Sequence, residues 1–197
     1  MDRIPILLRA IELSPRDPDS WRAWASAVAA LDQSADREAA LELYLDGLEL
    51  QKRREVDTGR SSILLKVGRI YQIYAQPRDP NLALEQYDAA LAAQNFLAPA
   101  DAVLLRVYRG ETYRALRPEY SDAQILAEFQ AALELDPNHS APLSSLARFY
   151  LSDLKDPAHA RPYVERLLER FPESANTHLL RGDYYAALGD LPQAAAA

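Results

Sequence analysis

The sequence predicts an all-α chain assembled from recurring helix pairs, and three observations carry that prediction. Apolar residues return at helical spacing from end to end, as in Ile4, Leu7, Leu8 and Ile11, or Trp21, Trp24, Ala25 and Val28. Proline and acidic caps punctuate these stretches: Ser14-Pro15 and Asp136-Pro137 stop helices, while Asp17-Pro18 and Asp79-Pro80 start them. Proline stops a helix because it lacks the N–H, and it suits the first helical position because that N–H would be unpaired anyway. Third, a small residue followed three positions later by a bulky one recurs along the chain. It appears as Gly68/Tyr71, Gly110/Tyr113, Ala147/Tyr150 and Gly182/Tyr185, with Ala25/Val28 as a weaker copy.

Taken in order, a helix over 2–13 comes first, ended by Ser14-Pro15. A helix over 18–31 follows, with a partner from about 35 into the fifties that faces Ala40, Tyr44, Gly47 and Leu48 inward. Asp57 to Ser61 breaks the chain, and Gln51 to Glu55 reads as a solvated helix extension. The next pair covers about 61–75 and 80–94, with Ala83, Tyr87, Ala90 and Leu91 as its inward stripe. Asn95 to Ala102, containing Pro99, reads as a connector. A third pair covers about 102–116 and 122–135; Ser121 and Gln124 fit a capping box ahead of Ile125, Phe129, Ala132 and Leu133. A fourth covers about 140–153 and 157–170, where Pro162 is expected to kink the second helix. A fifth begins at 175.

Leu179 to Ala194 reads LLRGDYYAALGDLPQA: a glycine, a tyrosine three residues on, a Gly189-Asp190 turn, then the alanine of a following helix. This skeleton, with its upstream copies, resembles the tetratricopeptide repeat. The column Val28, Tyr71, Tyr113, Tyr150, Tyr185 is spaced 43, 42, 37 and 35, approaching the family period of about 34 toward the C-terminus. The resemblance implies a right-handed α-solenoid whose first helices line a concave face. It implies one array over 1–197: a partial unit at 1–17, units at about 18–60, 61–101, 102–139 and 140–174, and a truncated unit at 175–197. Two short helices cannot bury an apolar stripe alone, but stacked pairs can. An uncovered face at the end of the array predicts membership of a larger array or self-association through the open ends.

Composition narrows the function. The net charge is −7 and disfavours phosphate backbones, so nucleic acid is not an expected partner. No apolar run is long enough to span a bilayer, and no membrane insertion is expected. There is no cysteine, hence no disulfide or thiolate metal site. His139, His159 and His178 lack a companion at metal-ligand spacing, and neither a phosphate loop nor a nucleophile elbow is present. Neither a cofactor nor an enzymatic activity is expected. Arg181-Gly182-Asp183 spells an integrin-ligand tripeptide but falls inside a helix, and Asn138-His139-Ser140 is a formal glycosylation acceptor without supporting context.

In tetratricopeptide proteins, ligand contacts come mainly from first-helix positions that point away from the packing stripe. By that resemblance the positions here include Arg22, Ser26, Leu65, Arg69, Gln72, Val107, Glu111, Arg114, Ser144, Arg148, Leu151, Leu179 and Asp183. Arg22, Arg69, Gln72, Glu111, Arg114 and Arg148 are the expected peptide-binding set. The arginines, about one per repeat, suit carboxylates of an extended or helical acidic peptide; the competing reading pairs them with neighbours such as Glu111 and Asp183. Arg22 and Ser26 do not reproduce the Lys-x3-Asn pair of the chaperone-tail clamp. The expected function is a non-catalytic scaffold that binds a peptide or protein, with a weak preference for the cytoplasm. The alternative is a regulatory or substrate-docking arm of a larger enzyme or membrane-associated assembly. An RNA-reading helical array would need basic repeat faces, which the charge opposes.

Overall fold

The computed structural model describes residues 3–33, 36–74, 78–93 and 97–195. Asn95, the expected start of a connector, and the last two alanines lie outside these residues. The described residues form eleven α-helices and no strand: α1 Arg3–Leu13, α2 Pro18–Gln33, α3 Arg37–Arg54, α4 Arg60–Arg69, α5 Pro80–Ala92, α6 Pro99–Ala115, α7 Asp122–Leu135, α8 Ser140–Arg148, α9 Pro157–Arg170, α10 Ala175–Ala187 and α11 Leu191–Ala195. The chain divides into two compact units, Met1–Leu105 and Arg106–Ala197, with the division inside α6.

Acidic caps set the helix starts. The carboxylates of Asp17, Asp79 and Asp156, each followed by proline, accept the backbone N–H of Ser20 (3.0 Å), Leu82 (2.9 Å) and His159 (3.1 Å). These bonds satisfy amides that have no partner within the helix. Hydrogen bonds from Ser20 hold Asp17 below the usual carboxylate range, and those from His159 do the same for Asp156. The Ser121–Gln124 capping box forms at α7. The Asn95–Ala102 connector is shorter than expected, because Pro99 opens α6 rather than interrupting a loop. Pro162 lies in the second turn of α9, where it forgoes one bond and the helix continues to Arg170.

The two first helices α4 and α8 end in π-helical turns, Ile70–Tyr74 and Phe149–Asp153. A π turn leaves carbonyls without their usual partner. The Tyr71 carbonyl accepts from the amide of Asp79 (3.1 Å), and the Tyr150 carbonyl accepts from that of Asp156 (2.8 Å). The same cap residues therefore start one helix and close the previous one. Tyr185 and Asp190 repeat the bond at 2.9 Å.

Second helices bury an i, i+4, i+7 stripe: Ala40/Tyr44/Gly47, Ala83/Tyr87/Ala90, Ile125/Phe129/Ala132 and Ala160/Val164/Leu167. In two pairs the central aromatic lies against the glycine of the first helix. A Cβ built on Gly68 would stand 2.5 Å from Tyr87 Cε1, and one on Gly110 2.5 Å from Phe129 Cε1. Unit 1 also carries the inverse arrangement, in which Trp24 of α2 covers Gly47 of α3 so closely that a Cβ would meet the indole at 2.3 Å. Trp24 is edge-on to both Trp21 and Tyr44, and all three rings are buried.

Gly110→Ala tests the close approach. Helix propensity alone favours alanine by about 1 kcal/mol, whereas forcing a methyl against a fully packed ring costs about 1–3 kcal/mol. We expect a lower urea midpoint for Gly110→Ala, with part of the loss recovered by adding Phe129→Leu.

Candidate peptide-binding groove

In unit 1, the glycine that precedes α4 brings that helix beside α2: the Cβ position of Gly59 lies 3.8 Å from Trp21 Cβ. From the first turn of α4, the Ser62 hydroxyl donates to Asp101 Oδ2 in the first turn of α6 at 2.7 Å. Between these ties opens a cavity of about 890 Å³, lined along α2 by Arg22, Ser26 and Ala29, along α4 by Ser62 and Lys66, and by Asp101. Arg16 reaches it from the turn before α2. The volume falls in the range of ligand sites.

Three cations line this space. Arg22 is exposed and paired only with the equally exposed Asp19, at 2.7 Å, a contact that contributes little and is easily exchanged for a ligand's. Arg16 and Lys66 form no ion pair with any described residue. Lys66 is absent from the expected set. It lies two residues before Gly68, whereas the expected positions were counted at three before and at one and four after the small residue. Leu65, three before, is buried at 5% exposure, as are Val107 and Leu151, and Ser144 is buried at 8%, so these four expected groove positions belong to the packed interior. Leu179, by contrast, is exposed.

Elsewhere the expected set is engaged internally. Gln72 Oε1 accepts from the Tyr87 hydroxyl at 2.7 Å, which ties it to the aromatic stripe of α5. Arg69 is half-buried on α4. In unit 2, Arg114 Nε donates to Asp153 Oδ1 at 3.0 Å, and its Nη2 stands 2.7 Å from Oδ2 as an ion pair. Burial opposes the charge on Arg114, but the bond to Asp153 and the charge of Glu111 outweigh it and raise its pKa. Glu111 also accepts from the Ser145 hydroxyl at 2.8 Å. Arg148 donates to Asn176 Oδ1 (3.0 Å), and Asn176 donates in turn to the Ser144 hydroxyl (2.8 Å).

A buried charge cluster escaped the sequence reading. In the first, second and fourth pairs, the residues four and one before the small residue are Trp21 and Trp24, Leu64 and Val67, and Leu143 and Leu146, all buried, while before Gly182 they are His178 and Arg181. In α6 they are Arg106 and Arg109. Glu128 of α7 meets both, Arg109 at 2.7 Å and Arg106 at 3.2 Å, while Arg109 also donates to the Tyr113 hydroxyl at 2.6 Å. The phase of 106 and 109 against Gly110 is the available signal, since that phase is apolar before Ala25, Gly68 and Ala147.

The histidines have local roles. His139 Nδ1 accepts the Ala141 amide as a cap, and His159 sits beside Asp156 and stacks on Tyr150. Among the described residues, no group of three or more His, Asp or Glu could hold a metal ion, and no helix is long and apolar enough to cross a membrane.

Neither a protein-family profile nor a curated protein sequence matches the chain. Solved structures do. PilW, described as a widely conserved type IV pilus biogenesis factor, aligns with a TM-score of 0.71 at 17% identity, over 96% of this chain and 79% of its own. YrrB, described as a TPR protein with an unusual peptide-binding site, aligns at 0.62 and 20% identity, over 95% and 86%. A tetratricopeptide repeat protein from Parabacteroides merdae ATCC 43184 aligns at 0.64 and 16%, over 89% and 63%. The chain has the tetratricopeptide-repeat fold, as its Gly-x2-Tyr skeleton predicts.

Glu128→Ala should leave two arginines without their shared anion, one of them buried. A loss of about 3–5 kcal/mol is expected for breaking such a pair, read as a lower unfolding midpoint. Replacing the exposed Asp19 by alanine should change stability by less than about 1 kcal/mol.

Proposed function

We propose that the chain is a non-catalytic scaffold that holds a partner polypeptide in the groove of unit 1. The observation that carries this reading is the roughly 890 Å³ cavity across α2, α4 and the start of α6, lined by cations with no strong internal partner. Arginine and lysine side chains form charge-assisted bonds with carboxylates, so an extended acidic peptide suits the cavity better than a neutral one. Arg22 serves this site together with Arg16 and Lys66; Arg69 and Gln72 continue the α4 surface. Glu111, Arg114 and Arg148 provide the matching first-helix surface of unit 2, where a ligand must first displace internal partners. That requirement makes unit 2 the weaker binder. The presence of a peptide-binding site in YrrB, a protein of the same fold, supports the class of function.

A second reading has its own observation. Leu188 is exposed at 52% and lines a hollow of about 230 Å³ between α9 and α10. This surface would serve self-association or docking within a larger enzyme or membrane-associated assembly.

The test is fluorescence anisotropy with a glutamate-rich decapeptide. We expect Arg22→Glu with Lys66→Glu to weaken binding at least tenfold with an unchanged circular dichroism spectrum, and binding to fall as salt rises. Arg148→Glu should have a smaller effect. Equal binding by wild type and the Arg22/Lys66 variant would move the site away from the groove, and a concentration-dependent sedimentation coefficient would favour the Leu188 surface.

A further inference from the structure

The same groove carries an acid. Asp101 stands at the third position of α6, and Ser62 of α4 holds one of its oxygens at 2.7 Å. Lys66 lies one turn beyond Ser62 on α4 and lines the same cavity, yet it makes no ion pair with Asp101 within 4.0 Å. The two opposite charges share one space without neutralising each other. Asp101 Oδ1 has no partner among the described residues, so the α6 wall keeps an acceptor directed by the Ser62 anchor.

An all-acidic occupant would satisfy Arg16, Arg22 and Lys66 but would bring like charge against Asp101. Such a juxtaposition is costly and acts as a filter against the wrong partner. We propose that the groove of unit 1 reads a polypeptide segment of mixed charge, an acidic side chain on Arg16, Arg22 and Lys66 and a basic one on Asp101, and so binds its partner in one chain direction. This rests on the groove being the binding site. It specifies the partner's chemistry: an extended segment with acidic and basic residues in separate halves, spaced to reach from α2 to α6.

The test uses four capped decapeptides of equal length on the full chain: acidic half before basic half, the reverse order, all-acidic, and neutral. One mixed order should bind at least tenfold tighter than both the other order and the all-acidic peptide. Asp101→Asn retains a hydrogen-bond partner for Ser62 but removes the charge. It should lower the preferred peptide to the affinity of the all-acidic one, while the all-acidic peptide binds no worse and rises slightly. Equal binding of the two orders, or a preference that survives Asp101→Asn, overturns the mixed-charge proposal and leaves the groove in place. All-acidic binding that exceeds both mixed orders does the same. Binding of all charged peptides no tighter than the neutral one, unaffected by Arg22→Glu with Lys66→Glu, overturns the groove itself.

Discussion

Three helix pairs depend on one steric condition: the two helices approach closely where a bulky ring meets a position with no side chain. Gly68 under Tyr87 and Gly110 under Phe129 meet this condition in the same sense, and Gly47 under Trp24 meets it with the partners exchanged. Buried apolar side chains on their own would tolerate many rotations of one helix about another. A ring seated on a glycine fixes the rotation, and with it which residues of the first helix look outward. The composition of the groove thus follows from packing on the opposite side of the same helix.

The third helix pair departs from this apolar scheme. Arg106 and Arg109 stand where tryptophan, leucine or valine stand in the first, second and fourth pairs, and Glu128 holds them. A buried ion pair is rarely a net gain over well-packed apolar residues, but it is intolerant of losing one member. Its geometric demand on α6 and α7 is correspondingly strict. The neighbouring Arg114–Asp153 pair and the Glu111–Ser145 bond extend the polar ordering across the first-helix surface of unit 2. The two units therefore contrast: one surface has spent its charges internally, whereas the other carries cations around an open cavity.

Most of the fold was legible because its signals are local. Asp-Pro starts, the Ser121 box and the Gly-x2-Tyr skeleton each encode a backbone event within a few residues, and each was found where the spacing put it. Pro99 misled because proline opens helices as readily as it interrupts chains, whereas Pro162 stands inside α9, the helix assigned to it, because a single lost bond in a second turn does not end a helix. The groove was less legible. Which side of α4 stays open depends on which neighbours cover it, so a count from Gly68 placed Leu65 outward and passed over Lys66. Asp101 read as part of a connector, and its link to Ser62 spans 39 residues that no local pattern joins. The Arg109–Glu128 pair was hidden for the converse reason: charged residues read as solvated until a partner on another helix is seen.

Hydrogen exchange of the full chain with and without a saturating bound polypeptide tests the account most directly, because it reports where the partner sits without presuming which side chains hold it. The account predicts new protection in the turn before α2, in α2 and α4, and in the first turn of α6, with little change across α8 and α10. Protection confined to α8–α10, with α2 and α4 exchanging as in the unbound chain, would contradict it.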